Sequence, residues 1–467
     1  MKILHYFLGF PPYRTGGLTK FALDLMLSQH KQGHSVSALW PGQMGFLFHK
    51  TFIKKRKSIE GVENFELINP LPVPLDEGIS NFPHFSRKCD KVVFIDFLKK
   101  LNPDVIHIHT LMGLYKEFVD ASKELNIKVV FTSHDYFGLC PKVTLFRNGK
   151  TCDDLSCSHC VECNQWALSI NKIKLMQSPG YRYLKNSFVV KKLRALHRSS
   201  FFEDVSCFKK DDSQIKDYAK QYRDLRTYYV EMLEEMDCIH FNSSVSEAVY
   251  RKYVKPQSSR LISITHNGIV DNRDSALDKN EGDVLRLTYL GSTNPIKGYY
   301  VLKMALDELW NEGFRQFKLK IFGMIQNPSP YMDVQYGRYN YSQLSSIFAD
   351  TDILLVPSLW YETFGFVVLE ALSFGVPVIV SDNVGAKDIV GDGGIIVKAG
   401  SKDSLKEAVK SLNKENIQTM KETIRNKNEI KTMNTFLTEI NSIYAGECIK
   451  SNILESAIEN YQFNVKH

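Results

Sequence analysis

Short apolar runs recur along the chain, separated by longer segments in which apolar residues return every three or four positions. The first runs lie at residues 1–10, 34–40, 103–109 and 127–133. Runs of this length are typical of buried parallel strands, and the intervening periodicity is typical of amphipathic helices. The alternation of strand and helix therefore predicts a doubly wound α/β domain.

The same alternation begins again in the second half of the chain, at residues 285–291. A polar, charged segment at 271–283 comes before it and is the predicted linker. Between about 136 and 231 the alternation lapses, which indicates an insertion into the first domain. From about residue 404 to residue 467 the pattern is helical. The sequence therefore predicts two α/β domains followed by a C-terminal helix.

Composition agrees with a globular protein of two or three domains. The chain has 467 residues, of which 43% are hydrophobic and 24% charged, and its formal net charge is +7. No apolar run reaches the 18 residues of a membrane-spanning helix. The apolar start of the chain ends at Pro11-Pro12 without a small-residue cleavage site, so it predicts a core strand, not a signal peptide. We expect a cytoplasmic protein, or one bound peripherally at the inner membrane face.

One strand-loop-helix-strand unit in the second half carries the most informative residues. The apolar run 352–357 ends at a proline and predicts a buried strand. The segment after Gly365 predicts a helix, because Gly375 and Pro377 supply the usual C-terminal stop. A second buried strand is predicted at 376–380.

Glu362 lies in the loop of this unit, and Glu370 lies inside its helix. Eight helical steps of 1.5 Å would separate them by about 12 Å. The two carboxylates therefore cannot share one metal ion or one proton. They suit two ends of an elongated ligand that lies over a helix N-terminus, where N–H groups favour an anion.

The pattern E-T-F-G-x-x-x-x-E-A-x-x-x-G-x-P-V-I at residues 362–379 resembles the E-x7-E signature of retaining glycosyltransferases of family 4, which have the GT-B fold. The resemblance implies that Glu362 meets the donor sugar and Glu370 the nucleotide ribose. It also implies that the backbone of Thr363, Phe364 and Gly365 faces the donor diphosphate.

Three further segments are similar to motifs of the same family. Lys297, in a G-x-x-x-x-x-K-G loop, matches a lysine on the donor diphosphate, whereas Ser292 stands where the family usually has arginine. Gly16 and Gly17 resemble the glycine loop that approaches the donor phosphates. His134, at the end of a predicted strand, resembles a histidine that meets the transferred sugar.

The resemblance implies a GT-B fold with two Rossmann-like domains across a cleft. Residues 1–275 would form the acceptor domain, with the insertion at about 136–231. Residues 283–430 would form the donor domain, and 431–467 a helix that crosses back to the first domain. The implied reaction moves a sugar from a UDP- or GDP-sugar to a glycan or lipid-linked acceptor in surface polysaccharide synthesis, with retention and without a catalytic cofactor.

Two other classes stay open at this stage. One is a further GT-B enzyme, such as a sugar phosphorylase or an epimerase. The other is a non-catalytic homologue that binds glycan or scaffolds an assembly, which the missing arginine at Ser292 keeps open.

Five of the nine cysteines cluster within 24 residues of the predicted insertion. Two overlapping C-x2-C steps favour a structural zinc site formed by Cys152, Cys157, Cys160 and Cys163, with Cys140 as a further ligand. Buried free thiols are the main alternative, and an iron–sulfur cluster or a redox pair is a third.

Residues 171–200 are basic and free of acids, with apolar residues interleaved. Such a stretch can lie on an anionic membrane, where each basic residue adds up to about 1 kcal/mol. A basic helix that packs its apolar side on the first domain is an equal alternative. Nothing in it resembles a groove-reading motif, so we do not expect a nucleic-acid partner.

Overall fold

The structure is a computed structural model. It describes the chain with the exception of residues 47, 76, 81, 186, 189, 191, 193–211, 274–283, 324, 326, 336, 338, 428–429, 448 and 451–467. Most of the predicted linker, and the basic residues at 193–200, therefore lie outside the described residues.

The described strands, in chain order, are β1 (Lys2–Tyr6), β2 (Ser35–Pro41), β3 (Phe52–Ile59), β4 (Val62–Ile68), β5 (Val105–Ile108), β6 (Lys128–Thr132), β7 (Phe146–Arg147), β8 (Lys150–Thr151), β9 (Cys238–Phe241), β10 (Ser258–Leu261), β11 (Leu285–Tyr289), β12 (Phe317–Phe322), β13 (Met332–Gln335), β14 (Ile353–Val356), β15 (Val378–Ser381), β16 (Gly394–Val397) and β17 (Ile449–Lys450).

The described α-helices are α1 (Gly17–Lys31), α2 (Phe82–Phe85), α3 (Val92–Leu101), α4 (Lys116–Glu124), α5 (Cys160–Cys163), α6 (Ile170–Met176), α7 (Pro179–Leu184), α8 (Asp212–Glu234), α9 (Ser244–Tyr250), α10 (Tyr299–Asn311), α11 (Leu344–Ala349), α12 (Phe366–Ser373), α13 (Lys402–Lys410), α14 (Lys414–Lys427) and α15 (Met433–Ala445). No helix among the described residues is both long and apolar enough to cross a membrane.

The first sheet contains the N-terminal strands in the order β17-β10-β9-β6-β5-β1-β2-β4-β3. Its centre is parallel, and Ile3 of β1 pairs with Val36 on one side and Val105 on the other. Because these strands are covered on both faces, they consist almost entirely of buried residues, as their apolar runs predict. The outer pairs β3–β4 and β10–β17 are antiparallel.

The second sheet has the order β13-β12-β11-β14-β15-β16, and all of its pairs are parallel. In order of appearance along the chain this is 3-2-1-4-5-6, the doubly wound order of Rossmann-like domains. The chain order reverses between β11 and β14. Ligands of such sheets bind at that point, outside the carboxyl ends of the strands.

Apolar packing joins the two sheets. One buried cluster combines Phe21 of α1, Val368 of α12 and Phe436 of α15. The rings of Phe21 and Phe436 lie 5.4 Å apart, edge to face. Helix α15 follows the second sheet in sequence but packs against α1 and β6 of the first sheet.

Most predicted elements match the observed ones within a few residues, but some differ. The C-terminal helix, predicted over residues 431–467, ends at Ala445 and is followed by β17, and residues 451–467 lie outside the described part of the chain. The hairpin β3–β4 is not predicted, because β3 is basic and largely exposed. Residues 262–268 follow β10 as an irregular segment.

Candidate active site

The loops after β11 and β14 meet at the reversal point of the second sheet. The first loop contains Lys297 and the second contains Glu362, and the Lys297 Nζ lies 2.6 Å from the Glu362 Oε1. Ser358 donates a hydrogen bond of 2.5 Å to the Glu362 Oε2. Burial opposes ionisation of Glu362, but the charge and hydrogen bond of Lys297, with the bond from Ser358, outweigh it and lower the pKa of Glu362. Glu362 is therefore a fixed anion.

The Lys297 loop is held rigidly against its neighbour. A short 3₁₀ turn, Pro295–Lys297, is capped by Asn294, whose side chain accepts from the Ile296 N–H at 3.2 Å. Gly298 ends the turn at φ 75°, and a Cβ there would lie 1.8 Å from the Pro357 carbonyl oxygen. Only glycine fits this close approach. The ammonium group of Lys297 consequently has a defined position at the carboxyl edge of the sheet.

Helix α12 begins at the cleft and points its N-terminus towards the first sheet. Gly365 precedes it in a left-handed conformation, and Phe364 beside it is buried. A Cβ added to Gly17 would lie 3.6 Å from the ring of Phe366, so the glycine loop and the start of α12 face each other. The first turn of a helix offers N–H groups without intrahelical partners, which suits an anion.

His134 and Thr363 connect the two sides of the cleft. The Thr363 hydroxyl donates to the His134 carbonyl oxygen at 3.0 Å, and the Thr363 carbonyl oxygen accepts from Ser243 at 2.6 Å. His134 comes two residues after β6, its side chain is partly exposed, and its ring lies 4.7 Å from that of Phe21. Burial, with a smaller effect of the His240 charge, lowers the pKa of His134 to about 3. The ring is therefore neutral at neutral pH.

Glu370 lies in the middle of α12 with a side chain only 5% exposed. His266 Nδ1 accepts from the Gly268 N–H at 3.0 Å, so His266 Nε2 carries the proton that it donates to Glu370, at 3.1 Å. The ring of Tyr341 lies 5.7 Å from that of His266. Burial and the nearby Glu370 charge both raise the pKa of Tyr341.

His266, the partner of Glu370, was not among the site residues predicted from the sequence. A signal was present: His266 precedes an Asn-Gly turn at the carboxyl edge of the first sheet. Ser358 and Trp360 were also not predicted, although both lie in the loop that contains Glu362. The Lys297 Nζ lies 5.3 Å from the centre of the Trp360 ring, a cation–π distance. The predicted residues of the second sheet therefore lie around one cleft, with Gly17 and His134 opposite them.

The cysteine cluster occupies the segment between β6 and α8. Cys140, Cys152, Cys157, Cys160 and Cys163 are free thiols. Burial, followed by the neighbouring thiol of Cys140, raises the pKa of Cys163 to about 11. A metal site needs at least three ligand atoms close together. Among the described residues, a group of three such atoms within 4.8 Å of one another occurs in histidines, not in these cysteines. As placed, the thiols do not form the closed set that structural zinc requires, and zinc stays a prediction.

The described part of the basic stretch contains both paired cations and exposed aromatic residues. Arg182 forms an ion pair with Glu66 at 2.7 Å, and Lys185 donates to the Tyr13 carbonyl oxygen at 2.7 Å, so both cations bind the first domain. Two aromatic residues of the same stretch are exposed: Tyr183 to 90% and Phe188 to 79%. Arg182 and Lys185 therefore pack on the first domain, and membrane binding by the segment stays a prediction.

Two doubly wound sheets, with a lysine–carboxylate pair and a helix N-terminus at the cleft, define the GT-B class of glycosyltransferases. The sequence model of the family "Glycosyl transferases group 1" matches residues 272–430. The model of "Glycosyltransferase Family 4" matches residues 15–151. Together they cover more than half of the chain, which belongs to the group 1 glycosyltransferases of family 4 and is a transferase enzyme.

Similar proteins share part of the sequence or the fold. A 41.2 kDa protein in the cps region of Klebsiella pneumoniae is 25% identical over 269 residues, which are 54% of this chain and 72% of the relative. Sucrose-phosphate synthase from Thermosynechococcus elongatus has a TM-score of 0.53 at 15% identity, over 95% of this chain and 98% of that one.

Two further solved structures share the fold. Trehalose 6-phosphate synthase from Burkholderia multivorans has a TM-score of 0.55 at 12% identity, over 98% of both chains. HepE from Anabaena, solved with UDP-glucose, has a TM-score of 0.50 at 13% identity, over 95% of this chain and 99% of that one.

Proposed function

We propose that this enzyme transfers a sugar, with retention of anomeric configuration, from a UDP- or GDP-sugar to a glycan or lipid-linked acceptor. The observation that carries the proposal is the Lys297–Glu362 pair at the reversal point of the second sheet, beside the N-terminus of α12. The relative in the cps region supports a role in surface polysaccharide synthesis.

Lys297 has the donor capacity to hold a diphosphate. An ammonium group has three N–H donors. One goes to Glu362, which leaves two for phosphate oxygens. The start of α12 adds N–H groups with a favourable dipole. Because Ser292 provides no second cation, we propose that Lys297 and these amides neutralise the leaving group without a metal ion.

The two carboxylates have separate tasks in this proposal. Glu362, a fixed anion beside Lys297, faces the transferred sugar and favours the positive charge that develops at its anomeric carbon. Glu370, held by His266, accepts hydrogen bonds from the ribose hydroxyls. Glu362 is engaged at both oxygens, so we assign it electrostatic stabilisation and not covalent attack. The donor phosphate then takes the proton of the attacking acceptor hydroxyl.

The first test is to replace Lys297 by alanine and compare it with Lys303→Ala. Lys303 also pairs with a carboxylate, Asp307, at 2.6 Å and has a similar exposure of 27% against 29%. Loss of a charged hydrogen bond to the diphosphate should weaken UDP or GDP binding roughly 10- to 100-fold in Lys297→Ala. Calorimetric titration of each nucleotide measures this.

Lys303→Ala should bind the nucleotide as the wild type does.

A panel of UDP-, GDP- and dTDP-sugars, with released nucleotide as the readout, then identifies the donor. Equal affinity in Lys297→Ala and the wild type would contradict the proposed diphosphate site.

A further inference from the structure

A continuous chain of hydrogen bonds lies beneath the cleft, in the interior of the first sheet. Eight side chains and one backbone carbonyl take part through eight links of 2.6–3.2 Å. All of these groups except the His134 side chain are buried. In order, the members are His134, His109, His5, Gln29, Tyr444, His107, Thr132, His240 and the carbonyl of Ile262.

The far end of the chain fixes its direction. The Ile262 carbonyl can only accept, so the His240 Nε2, 2.8 Å away, carries a proton. Burial lowers the pKa of His240 to about 4, so the ring is neutral and its Nδ1 accepts from the Thr132 hydroxyl. That hydroxyl has one hydrogen, and its oxygen must therefore accept from the His107 Nε2 at 2.6 Å.

The proton positions in the middle of the hydrogen-bond chain follow in the same way. His107 Nδ1 is left without a proton and accepts from the Tyr444 hydroxyl at 2.7 Å. The Tyr444 oxygen then accepts from the amide nitrogen of Gln29 at 3.2 Å, which turns the Gln29 carbonyl oxygen towards His5. His5 Nε2 donates to that oxygen, so His5 Nδ1 must accept from His109 Nε2 at 3.0 Å.

At the near end, His109 Nδ1 accepts from His134 Nε2 at 3.2 Å. The Nδ1 of His134 is left without a proton and has no hydrogen bond to the residues that the structure describes. We propose that the chain holds His134 in the tautomer protonated on Nε2, so that Nδ1 accepts a hydrogen bond from a hydroxyl of the sugar substrate. Tyr444, on α15, is the positioning residue that fixes this tautomer. The sugar contact rests on the proposed function; the tautomer does not.

A metal ion is the competing explanation, because His5, His107 and His109 offer nitrogen atoms within 4.8 Å of one another. Both ring nitrogens of each histidine, however, already have a hydrogen-bond partner. One proton per link satisfies the entire chain. A bound ion would have to break links that are complete without it.

Tyr444→Phe tests the positioning role. Loss of the hydroxyl leaves the Gln29 amide without its acceptor, so the amide can turn and reverse the links through His5 and His109. Ring-¹⁵N-labelled histidine, with the His134 signals identified by their loss in His134→Asn, reports which nitrogen is protonated. We expect a single tautomer with Nε2 protonated in the wild type and a mixture in Tyr444→Phe.

Tyr229→Phe is the matched control. It removes a buried hydroxyl that donates to the Phe85 carbonyl oxygen at 2.6 Å and has no link to the chain. Its His134 signals should equal those of the wild type. The value of kcat should fall roughly tenfold in Tyr444→Phe, as expected for one misdirected hydrogen bond, and stay unchanged in Tyr229→Phe.

A wild-type His134 protonated on Nδ1, an unchanged tautomer in Tyr444→Phe, or stoichiometric metal in the purified protein would each overturn the chain as described. A tautomer that becomes mixed without any change in kcat would leave the chain standing and overturn the contact between His134 and the sugar.

Discussion

At the scale of single residues, the site depends on charges whose partners are already in place. Glu362 has Lys297 and Ser358, and Glu370 has His266. The resemblance to family 4 implied the two glutamates and Lys297, but not Ser358 or His266. Ser358 is four residues from Glu362, whereas His266 is 104 residues from Glu370, a distance that no local pattern can bridge.

Removing each carboxylate should affect a different kinetic constant. Glu370→Gln should weaken donor binding roughly tenfold, because ribose hydroxyls lose a charged acceptor, and should change kcat little. Glu362→Gln should lower kcat at least tenfold, because it removes charge that acts in the transition state. Initial rates over a range of donor concentrations separate the two.

The opposite assignment, with Glu362→Gln affecting only KM, would show that the two glutamates have exchanged roles. Wild-type rates in both variants would reject the site.

At the scale of elements, the buried strands were predictable because parallel strands covered on both faces must be continuously apolar. The hairpin β3–β4 was missed for the opposite reason: β3 is an edge strand, exposed and rich in lysine and arginine. Glu60 and Gly61 form its two-residue turn, both with positive φ, and Gly61 is the residue through which the sequence could have indicated this turn.

The contact between the loops after β11 and β14 gives a test at this scale. Gly298→Ala should lower the free energy of unfolding by about 3 kcal/mol, because left-handed strain adds to a collision with the Pro357 carbonyl. Gly313→Ala has similar strain at φ 93° but open space around the Cβ, and should cost about 1–2 kcal/mol. Urea unfolding followed by fluorescence compares the two.

A Gly298→Ala protein as stable as Gly313→Ala would mean that the two loops separate easily, and that Lys297 has no fixed position.

The histidines of the buried hydrogen-bond chain make the stability of the first sheet depend on pH. They lie on, or just after, the strands β1, β5, β6 and β9. Burial lowers the pKa of His5 and of His240 from 6.5 to about 4. The unfolded chain therefore binds more protons below pH 6.5, and stability falls as pH drops from there towards 4. Each such histidine contributes a slope of about 1.4 kcal/mol per pH unit.

Asp135 acts in the other direction, since burial raises its pKa to about 6 and so favours the folded state as pH falls. The destabilising effect of at least two histidines should exceed the stabilising effect of one aspartate. The urea concentration at the midpoint of unfolding should therefore be lower at pH 5 than at pH 7. Equal midpoints at the two pH values would contradict neutral, buried histidines.

At the scale of the whole molecule, the fold was predictable from the repeated strand–helix alternation, and the cleft from motifs on both sides of it. We also propose, at this scale, that the basic segment at 171–200 binds an anionic membrane. Tyr183 and Phe188 are highly exposed, and Lys172 earlier in the same segment is exposed as well, whereas Arg182 pairs with Glu66 of the first domain.

Vesicle flotation tests whether this segment binds membranes. The wild type should float with vesicles containing anionic lipid and much less with neutral vesicles, since each surface lysine adds up to about 1 kcal/mol. Tyr183→Ala/Phe188→Ala should lose flotation. Tyr300→Ala/Met304→Ala, which removes exposed apolar residues from α10, should keep it. Equal flotation of both double variants would exclude the segment as the membrane contact.

The position of α15 and β17 on the first sheet has a consequence for biosynthesis. The ribosome makes the first sheet early, but Phe436, Tyr444 and the edge strand β17, which complete it, are among the later residues to emerge. Until then the apolar side of α1 and the buried histidines lack their cover. The first domain therefore cannot complete its fold until most of the chain has been made. A nascent chain stopped before residue 433 would expose an apolar surface of the kind that chaperones bind.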